Sequence, residues 1–406
     1  MEKKTEQYDV VIIGGGAAGL TAGIYCGRAR LKTLLIEKTL VGGLATYTNE
    51  IENYPGFPEG SSGIGLMELF HKQAKKFGVT FKLTEVTGVQ LEGDVKIVET
   101  FRTNYECKAV IVATGGKPRL TGAAGEDAYL YDKGISFCAT CDAAANTDKT
   151  IMVIGSGDAA IEEGMFLTRF AEKVYVSVIH DEGKMDCNEI AKSEALANPK
   201  MEFVWNTVVG EFVGGERLEK VLLKNVKTNE LTPFDVHSCF LFIGYIPNTE
   251  IFRDVLDMNR AGYLIANENM ETRIPGVFAA GDVRDKGLRQ VATSVGDGAV
   301  AGVAAEKYIA ESEVFENQIM CGGKRVVYVY NAVNQAEREL LSVLETFEHE
   351  REGECGVVRA DIYKSAGIAR RLDVENSPCV CYIDDGKVVS RLTDGITLES
   401  LSRLIG

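Results

Sequence analysis

The sequence predicts an α/β chain in which one dinucleotide-binding fold is inserted into another, followed by a small separate α/β domain. Three observations predict this. A glycine fingerprint, Gly14-x-Gly16-x-x-Gly19, stands near the N-terminus. A second, Gly155-x-Gly157-x-x-Ala160, follows a strand of the same kind. Beyond residue 323 the pattern changes to the order βαβαββα. At 406 residues the chain is long enough for two or three domains with substantial cores.

Residues 8–13 are a β-rich apolar run, as a buried parallel strand should be. The fingerprint turns this run into a helix over 17–29, with Ala17 and Ala18 at its start. Residues 32–36 form the second strand, which ends at Glu37. In such a βαβ unit, Gly14, Gly16 and Gly19 let the backbone approach a pyrophosphate at the helix N-terminus. The acid at the end of the second strand can bond ribose hydroxyls. A lone glycine pattern would say little, but here strand, helix and acid all fall in place.

Residues 109–115 read as another buried strand, ending in a tight turn at Thr114-Gly115. Residues 150–154 repeat the first pattern and open the second fingerprint, with 174–179 as its partner strand. Residues 239–244 are a strand that leads into a crossing point at 245–248. The strand at 277–280 follows a Pro-Gly turn, reaches Gly281-Asp282, and precedes a helix that begins near Ser294. Residues 313–323 are polar and end in Cys321-Gly322-Gly323, a linker pattern. After it come a strand (325–330), a helix (335–347), a strand (356–360) and a helix (362–372). Two strands then pair across Asp384-Asp385-Gly386, and a last helix spans 398–404.

Composition narrows the function. The net charge is −15, which argues against broad nucleic-acid binding. No stretch reaches transmembrane length and the first residues are polar, so the expected setting is cytoplasmic, with no membrane partner. Of ten cysteines only Cys138 and Cys141 form a C-x-x-C pair. The others are scattered, as reduced structural thiols are in a reducing compartment. A zinc site at the pair would need two further ligands, and the four histidines (71, 180, 237, 349) are dispersed singly, so no metal site is expected.

The stretch Cys138-Ala139-Thr140-Cys141-Asp142 carries the chemistry. A C-x-x-C disulfide closes a small ring that can open and reform without loss of the fold. The attacking species is the thiolate, and an adjacent Asp can hand a proton to a leaving sulfur or take one back.

With these motifs assembled, residues 1 to about 312 resemble a low-molecular-weight thioredoxin reductase. The motifs are the Gly14 fingerprint, Gly42-Gly43, Glu50-Ile51-Glu52-Asn53-Tyr54-Pro55-Gly56, Ala113-Thr114-Gly115, Cys138-Ala-Thr-Cys141-Asp142, Gly244-Tyr-Ile-Pro-Asn248, and Gly281-Asp282 followed by Arg289-Gln290-Val291. The resemblance implies two nested Rossmann-like FAD/NAD(P)-binding domains. FAD would be bound by 1–120 and 247–312, and the dithiol carried by 121–246. Glu37 would bond the adenosine ribose. Asn53 and Gly281-Asp282 would hold the flavin's chain, and Gln290 and Val291 would touch the isoalloxazine edge. Gly43, Thr114, Gly115 and Arg289 belong to the same cofactor-binding set. Cys138 would attack a partner disulfide, Cys141 would face the flavin, and Asp142 would act as acid and base. The family is a homodimer, and its partner is thioredoxin or a related disulfide protein.

There are departures from the family pattern. Its Gly-Gly-Gln near the flavin reads Gly42-Gly43-Leu44 here, and Leu44 cannot hydrogen-bond the cofactor. After Asp142 stand Ala143-Ala144-Ala145-Asn146 in place of glycine and bulky residues. Enzymes using NADPH carry an Arg-rich stretch after the second domain's second strand, because guanidinium forks suit a 2′-phosphate. This chain has 178–186 reading Val-Ile-His-Asp-Glu-Gly-Lys-Met-Asp, with no Arg between Arg169 and Arg217. Asp181 and Glu182 would repel a 2′-phosphate at a cost of ~1 kcal/mol or more. NADH, whose free 2′-hydroxyl an acid can bond, and reduced ferredoxin therefore stand ahead of NADPH as donor. The donor region resembles the ferredoxin-dependent flavin thioredoxin reductases, and the run 71–76 is a candidate basic patch for such a carrier.

Residues 324–406 resemble a thioredoxin-like α/β domain. Ser377-Pro378-Cys379 stands where that fold keeps a cis-proline, and Asp384-Asp385-Gly386-Lys387 matches its hairpin. The place of its C-x-x-C reads Asn331-Ala332-Val333-Asn334-Gln335, so no dithiol carrier of the usual kind is expected. Cys379 and Cys381 are expected as core thiols, with a redox role as the alternative. Two other readings of the whole chain stand beside the reductase: a redox-sensing or docking flavoprotein, and a flavin-dependent ferredoxin/nicotinamide oxidoreductase. The C-x-x-C pair counts against the latter.

Overall fold

The structure, a computed structural model, describes residues 3–48 and 51–406. Glu50, part of one of the motifs above, lies outside them. The chain divides into two compact units, Met1–Val303 and Ala304–Gly406.

The first unit opens with β1 (Lys4–Ile13), α1 (Ala17–Arg28) and β2 (Thr33–Glu37). Next come α2 (Gly63–Lys76), β3 (Thr80–Leu83), β4 (Val86–Gln90), β5 (Lys96–Thr100) and β6 (Thr103–Val112). The sheet order is β3-β2-β1-β6-β5-β4. Strands β1, β2, β3 and β6 run parallel, while β4 and β5 form an antiparallel arm. The apolar run of β1 is the reason for its place at the centre. Val10, Val11 and Ile12 have no exposed surface, and both faces of the strand are covered. Gly19 lets α1 lie tight on this strand: a Cβ there would meet the Gly14 carbonyl oxygen at 1.9 Å.

The chain then passes through β7 (Gly116–Pro118) into the inserted fold: β8 (Ile135–Ser136), α3 (Ala139–Asp142), β9 (Thr150–Ile154), α4 (Asp158–Leu167), β10 (Lys173–Val178), α5 (Glu189–Ala197) and β11 (Met201–Trp205). An antiparallel three-strand layer follows, β12 (Thr207–Gly214), β13 (Leu218–Asn225) and β14 (Leu231–Asp235), and then β15 (Ser238–Leu241). The inserted parallel sheet has the order β11-β10-β9-β15-β8. The chain returns through β16 (Tyr245–Pro247), which pairs antiparallel with β7. It then adds β17 (Val277–Ala279) to β6 of the first sheet and enters α6 (Val291–Val314). Trp205 stacks on Phe203 with ring centroids 5.5 Å apart. Cys26, Cys107, Cys187 and Cys239 are buried thiols outside the disulfide.

The second unit contains the end of α6 and β18 (Lys324–Tyr330), α7 (Gln335–Glu350), β19 (Cys355–Asp361), α8 (Ala366–Arg371), β20 (Cys379–Asp384), β21 (Lys387–Leu392) and α9 (Leu398–Ile405). Its sheet order is β19-β18-β20-β21, with β18 parallel to β19 and antiparallel to β20. The Ser377–Pro378 peptide is cis. Cys379 and Cys381 are buried with their sulfurs 3.9 Å apart, in one apolar cluster with Val327, Val329 and Ile383. Residues 313–323, expected as a linker, are instead helical as far as Ile319. The physical reason is that Phe315 and Ile319 are buried in the same cluster, which the polar composition around them masks.

Among the described residues, no helix is long and apolar enough to cross a membrane. Nor does any group of three or more His, Cys, Asp or Glu among them stand ready to hold a metal ion.

Candidate functional site

Cys138 and Cys141 are joined by a disulfide, S–S 2.10 Å, with Cα atoms 5.3 Å apart. Cys138 is the N-cap of the single-turn α3 and makes no side-chain cap hydrogen bond. Thr140 Oγ1 lies 3.5 Å from Cys138 Sγ. Asp142 closes the turn. Burial pushes its carboxyl above the ordinary carboxylate range, and a hydrogen bond from Ser136 opposes this in part. A carboxyl moved in this direction holds its proton closer to the working pH of a general acid. Asn146 is buried. Its Nδ2 donates to the Asp142 main-chain oxygen at 2.8 Å, and its Oδ1 has no partner among the described residues.

The first fingerprint sits at the start of α1. Gly16 is the N-cap, with no side-chain cap and no acid in the first turn, so the helix end is open to an anion. A Cβ on Gly16 would meet nothing nearer than 4.0 Å, whereas one on Gly15 would press on Glu37 at 3.2 Å. Glu37 accepts from Gly15 N (2.7 Å) and Thr39 N (2.9 Å), which fixes its carboxylate beside the fingerprint. Gly43 has φ +61° and packs over Gly16, where a Cβ would be 3.2 Å from the Gly16 Cα.

Across the same sheet, Thr114 and Asn248 are tied reciprocally (2.7 and 2.9 Å), and Gly115 beside them has φ +61° with open space. Asn53 Nδ2 donates to Gln290 Oε1 at 3.1 Å, bringing together two residues expected at the cofactor. Asp282 accepts from Ser294 Oγ at 3.0 Å, and burial pushes its carboxyl up. Arg289 lays its guanidinium 4.2 Å from the Tyr263 ring centroid, and its buried Nε has no hydrogen-bond partner among the described residues. An open helix N-terminus, a fixed carboxylate, a glycine-bounded gap and an orphaned buried donor together suit an elongated diphosphate cofactor.

The second fingerprint differs. Gly157 is again an uncapped N-cap with open space at its Cβ. But Asp158 stands in the first turn, where α1 has none of its kind, and its Oδ1 accepts from Asn188 N (2.7 Å) and Nδ2 (2.9 Å). Asp186 accepts from Ser156 Oγ at 2.9 Å and meets His180 Nε2 at 2.8 Å, and its own N–H donates to the Ser156 carbonyl at 3.0 Å. The segment 180–188 is therefore tied back onto the fingerprint by two carboxylates. Asp181, a candidate for a ribose hydroxyl, is paired with Lys227 and Lys184, and the Lys227 hydrogen bond holds its carboxyl below the usual range.

Gly14, Glu37, Thr114 and Gly281 thus lie at the carboxyl ends of β1, β2, β6 and β17 of one sheet, Asn53 is joined to Gln290, and the dithiol and Asp142 share one turn. Missed in the sequence were Ser136, Asn146, Asp158, Asp186 and the Tyr263–Arg289 stack. Asp158 alone carried a signal, an acid inside a phosphate-binding fingerprint. The rest are matched only through tertiary structure.

A nested pair of dinucleotide folds with a redox disulfide on the inserted one defines a class, and the chain belongs to it: the pyridine nucleotide-disulphide oxidoreductase family, whose pattern matches residues 8–298. Within that family it is similar to a thioredoxin reductase of Peptoclostridium acidaminophilum, 41% identical over 308 residues, covering 74% of this chain and 97% of the relative. It is also similar to a thioredoxin reductase of Listeria monocytogenes, 39% identical over 312 residues, covering 77% of this chain and 97% of the relative. Among solved structures, the thioredoxin reductase of Streptococcus pyogenes aligns with a TM-score of 0.70 at 40% identity, over 75% of this chain and 98% of that one.

Proposed function

We propose that the chain is a flavin-dependent protein-disulfide reductase of the thioredoxin reductase type. The single observation that carries this is the Cys138–Cys141 disulfide on its own turn with Asp142, whose carboxyl burial pushes up, closing that turn. The residues of the first cradle suit FAD. Gly14, Gly16, Ala17, Ala18 and Gly19 would line the diphosphate, with Glu37 at the ribose, and Gly43, Asn53, Thr114, Gly115, Gly281, Asp282, Arg289, Gln290 and Val291 along the remainder. When bound there, FAD supplies an electron pair for the disulfide. Cys138 then attacks a partner disulfide as thiolate, Cys141 resolves the mixed disulfide, and Asp142 exchanges the protons.

For the donor, the reading favours a one-electron carrier such as reduced ferredoxin, with NADH behind it and NADPH last. What supports this is that Asp158 lies in the first turn after the second fingerprint and Asp186 is bonded to its Ser156, since like charges at short range would oppose a pyrophosphate bound there. The second unit reads as a thioredoxin-like module without a dithiol, because its element order and its sheet order follow that pattern. The N-terminus of α7, where such a fold keeps its cysteines, is filled by Glu337, which accepts from Asn331 N (2.7 Å) and Asn334 Nδ2 (2.8 Å). A homodimer with thioredoxin or a related protein as partner completes the proposal.

The test is anaerobic bleaching of the flavin by NADPH, NADH and reduced ferredoxin in parallel, followed by thioredoxin reduction. Ferredoxin should bleach it fastest, and Cys138→Ser should keep its flavin but lose disulfide reduction. Fast bleaching by NADPH overturns the donor assignment. Undiminished thioredoxin turnover by Cys138→Ser overturns the reductase reading.

A further inference from the structure

We propose that Ser136 is a positioning residue for the dithiol chemistry, a hydroxyl rotor that holds Asp142 in one place whether or not the carboxyl carries its proton. The proposal rests on the reductase reading above. Ser136 ends β8, where it pairs with Phe240 of β15, so the sheet fixes its backbone. Its side chain is buried. The hydroxyl lies 2.5 Å from Asp142 Oδ2, accepts from Cys138 N at 3.2 Å, and has the Cys138 carbonyl oxygen 3.4 Å away. It therefore touches the acid and both main-chain polar groups of the attacking cysteine.

A serine hydroxyl has one proton and two lone pairs. One lone pair is taken by Cys138 N–H. With Asp142 ionised, the hydroxyl proton points to the carboxylate, a charge-assisted contact preferred over the longer one to the Cys138 carbonyl. With Asp142 protonated, the carboxyl donates to the second lone pair, and the serine proton turns to the Cys138 carbonyl. The heavy atoms need not move between the two states. The Asp142 N–H bond to the Cys138 carbonyl (3.3 Å) and the Asn146 bond to the Asp142 carbonyl hold the turn's backbone, and neither reaches the carboxyl. Two further charged groups face the site. Asp132 is a second carboxylate in electrostatic range of Asp142, and Arg217 in turn offsets Asp132.

The step served is balanced as follows. Cys138 thiolate forms a bond to one partner sulfur and breaks the partner S–S bond, and the leaving sulfur takes the proton from Asp142. Asp142 carboxylate then accepts the Cys141 thiol proton as Cys141 attacks Cys138 Sγ. This step releases the second partner sulfur, which takes from solvent the proton that Cys138 gave up on becoming a thiolate. The partner gains two electrons and two protons, and the Cys138–Cys141 disulfide is restored.

The test uses the full-length flavoprotein, its dithiol reduced by dithiothreitol and then freed of it, mixed with oxidised thioredoxin in single turnover across pH 5–9. In Ser136→Ala the rate should fall about tenfold or more, because the acid loses its orientation. The alkaline limb should move up by about half to one pH unit, because the ionised carboxyl loses a donor. Ser136→Thr, which keeps the hydroxyl, should restore both. Iodoacetamide alkylation of Cys138 against pH, which needs neither partner nor flavin turnover, should show the same displaced inflection. A rate and limb equal to wild type in Ser136→Ala, or equal failure of Ser136→Thr, overturns the proposal. Should Ser136→Ala lose its fold, Ser136→Cys carries the same comparison. If wild type leaves thioredoxin oxidised while the alkylation inflection still moves, the reductase reading falls and the positioning role stands.

Discussion

Asp297 on α6 offers a sharp test of what holds the Gly281-Asp282 turn in place. Asp297 is 8% exposed, and its carboxylate accepts from Gly281 N (3.0 Å), Arg284 Nε (2.9 Å) and Lys286 Nζ (3.0 Å). The Lys286 side chain is itself only 8% exposed and that of Arg284 18%. Asp297→Ala would leave the buried Lys286 ammonium with the longer 3.9 Å contact to Asp282, and would strand a largely buried guanidinium and a buried backbone donor. Removing one partner of such a set costs about 3–5 kcal/mol, most of it from the charges left unpaired. With a urea slope of ~3 kcal/mol per M, the midpoint should fall by about 1 M or more. Because Gly281 loses its anchor, flavin retention after gel filtration should fall with it. Urea unfolding followed by circular dichroism measures the first effect and flavin absorbance the second. A midpoint within ~0.2 M of wild type would refute the reasoning, since it would mean the cations find other partners. Asp297→Asn, which keeps an oxygen for Gly281 but loses the charge, should fall between the two.

Three further outcomes follow from the same kind of argument. Burial pushes the Asp297 carboxyl up from 3.8, but hydrogen bonds from Arg284 and Lys286 more than offset it, so the folded value lies below the ordinary one. Its contribution is therefore complete above about pH 4 and is lost as pH falls through the lower folded value, so Asp297→Asn should flatten the acid limb of stability below about pH 4 in urea titrations. Gly19→Ala places a Cβ 1.9 Å from the Gly14 carbonyl oxygen, so the helix must lift off the strand and the purified protein should be largely colourless. In the second unit, Tyr328 is fully buried and its hydroxyl donates to the Glu337 carbonyl at 2.9 Å. Tyr328→Phe should destabilise that unit by about 1–2 kcal/mol, read as a lowered thermal midpoint.

Most of the architecture was legible because parallel sheets buried on both faces write themselves as apolar runs, and the fingerprints mark where those runs turn. The dithiol and its acid were legible because they are contiguous. What was not legible is instructive. Phe315 and Ile319 turn an apparent linker into packed structure because two apolar side chains outweigh the polar ones around them. The ties from Asp186 to Ser156 and from Asn188 to Asp158 each join residues thirty apart, and no local pattern announces them. The run 178–186 was singled out for its missing arginines, but nothing in it announced the hydrogen bonds that tie Asp186 to Ser156 and Asn188 to Asp158.

The filled N-terminus of α7 limits how the second unit could be re-engineered. A reactive cysteine pair needs the electropositive end of a helix to steady its anionic sulfur. Here Glu337, buried in the first turn and bonded to Asn331 and Asn334, already draws on that field. Thiols grafted at 332 and 335 would sit next to a fixed negative charge and remain sluggish nucleophiles. Converting the unit into an electron carrier would require removing Glu337 first, and with it the side chain that seals the start of the helix.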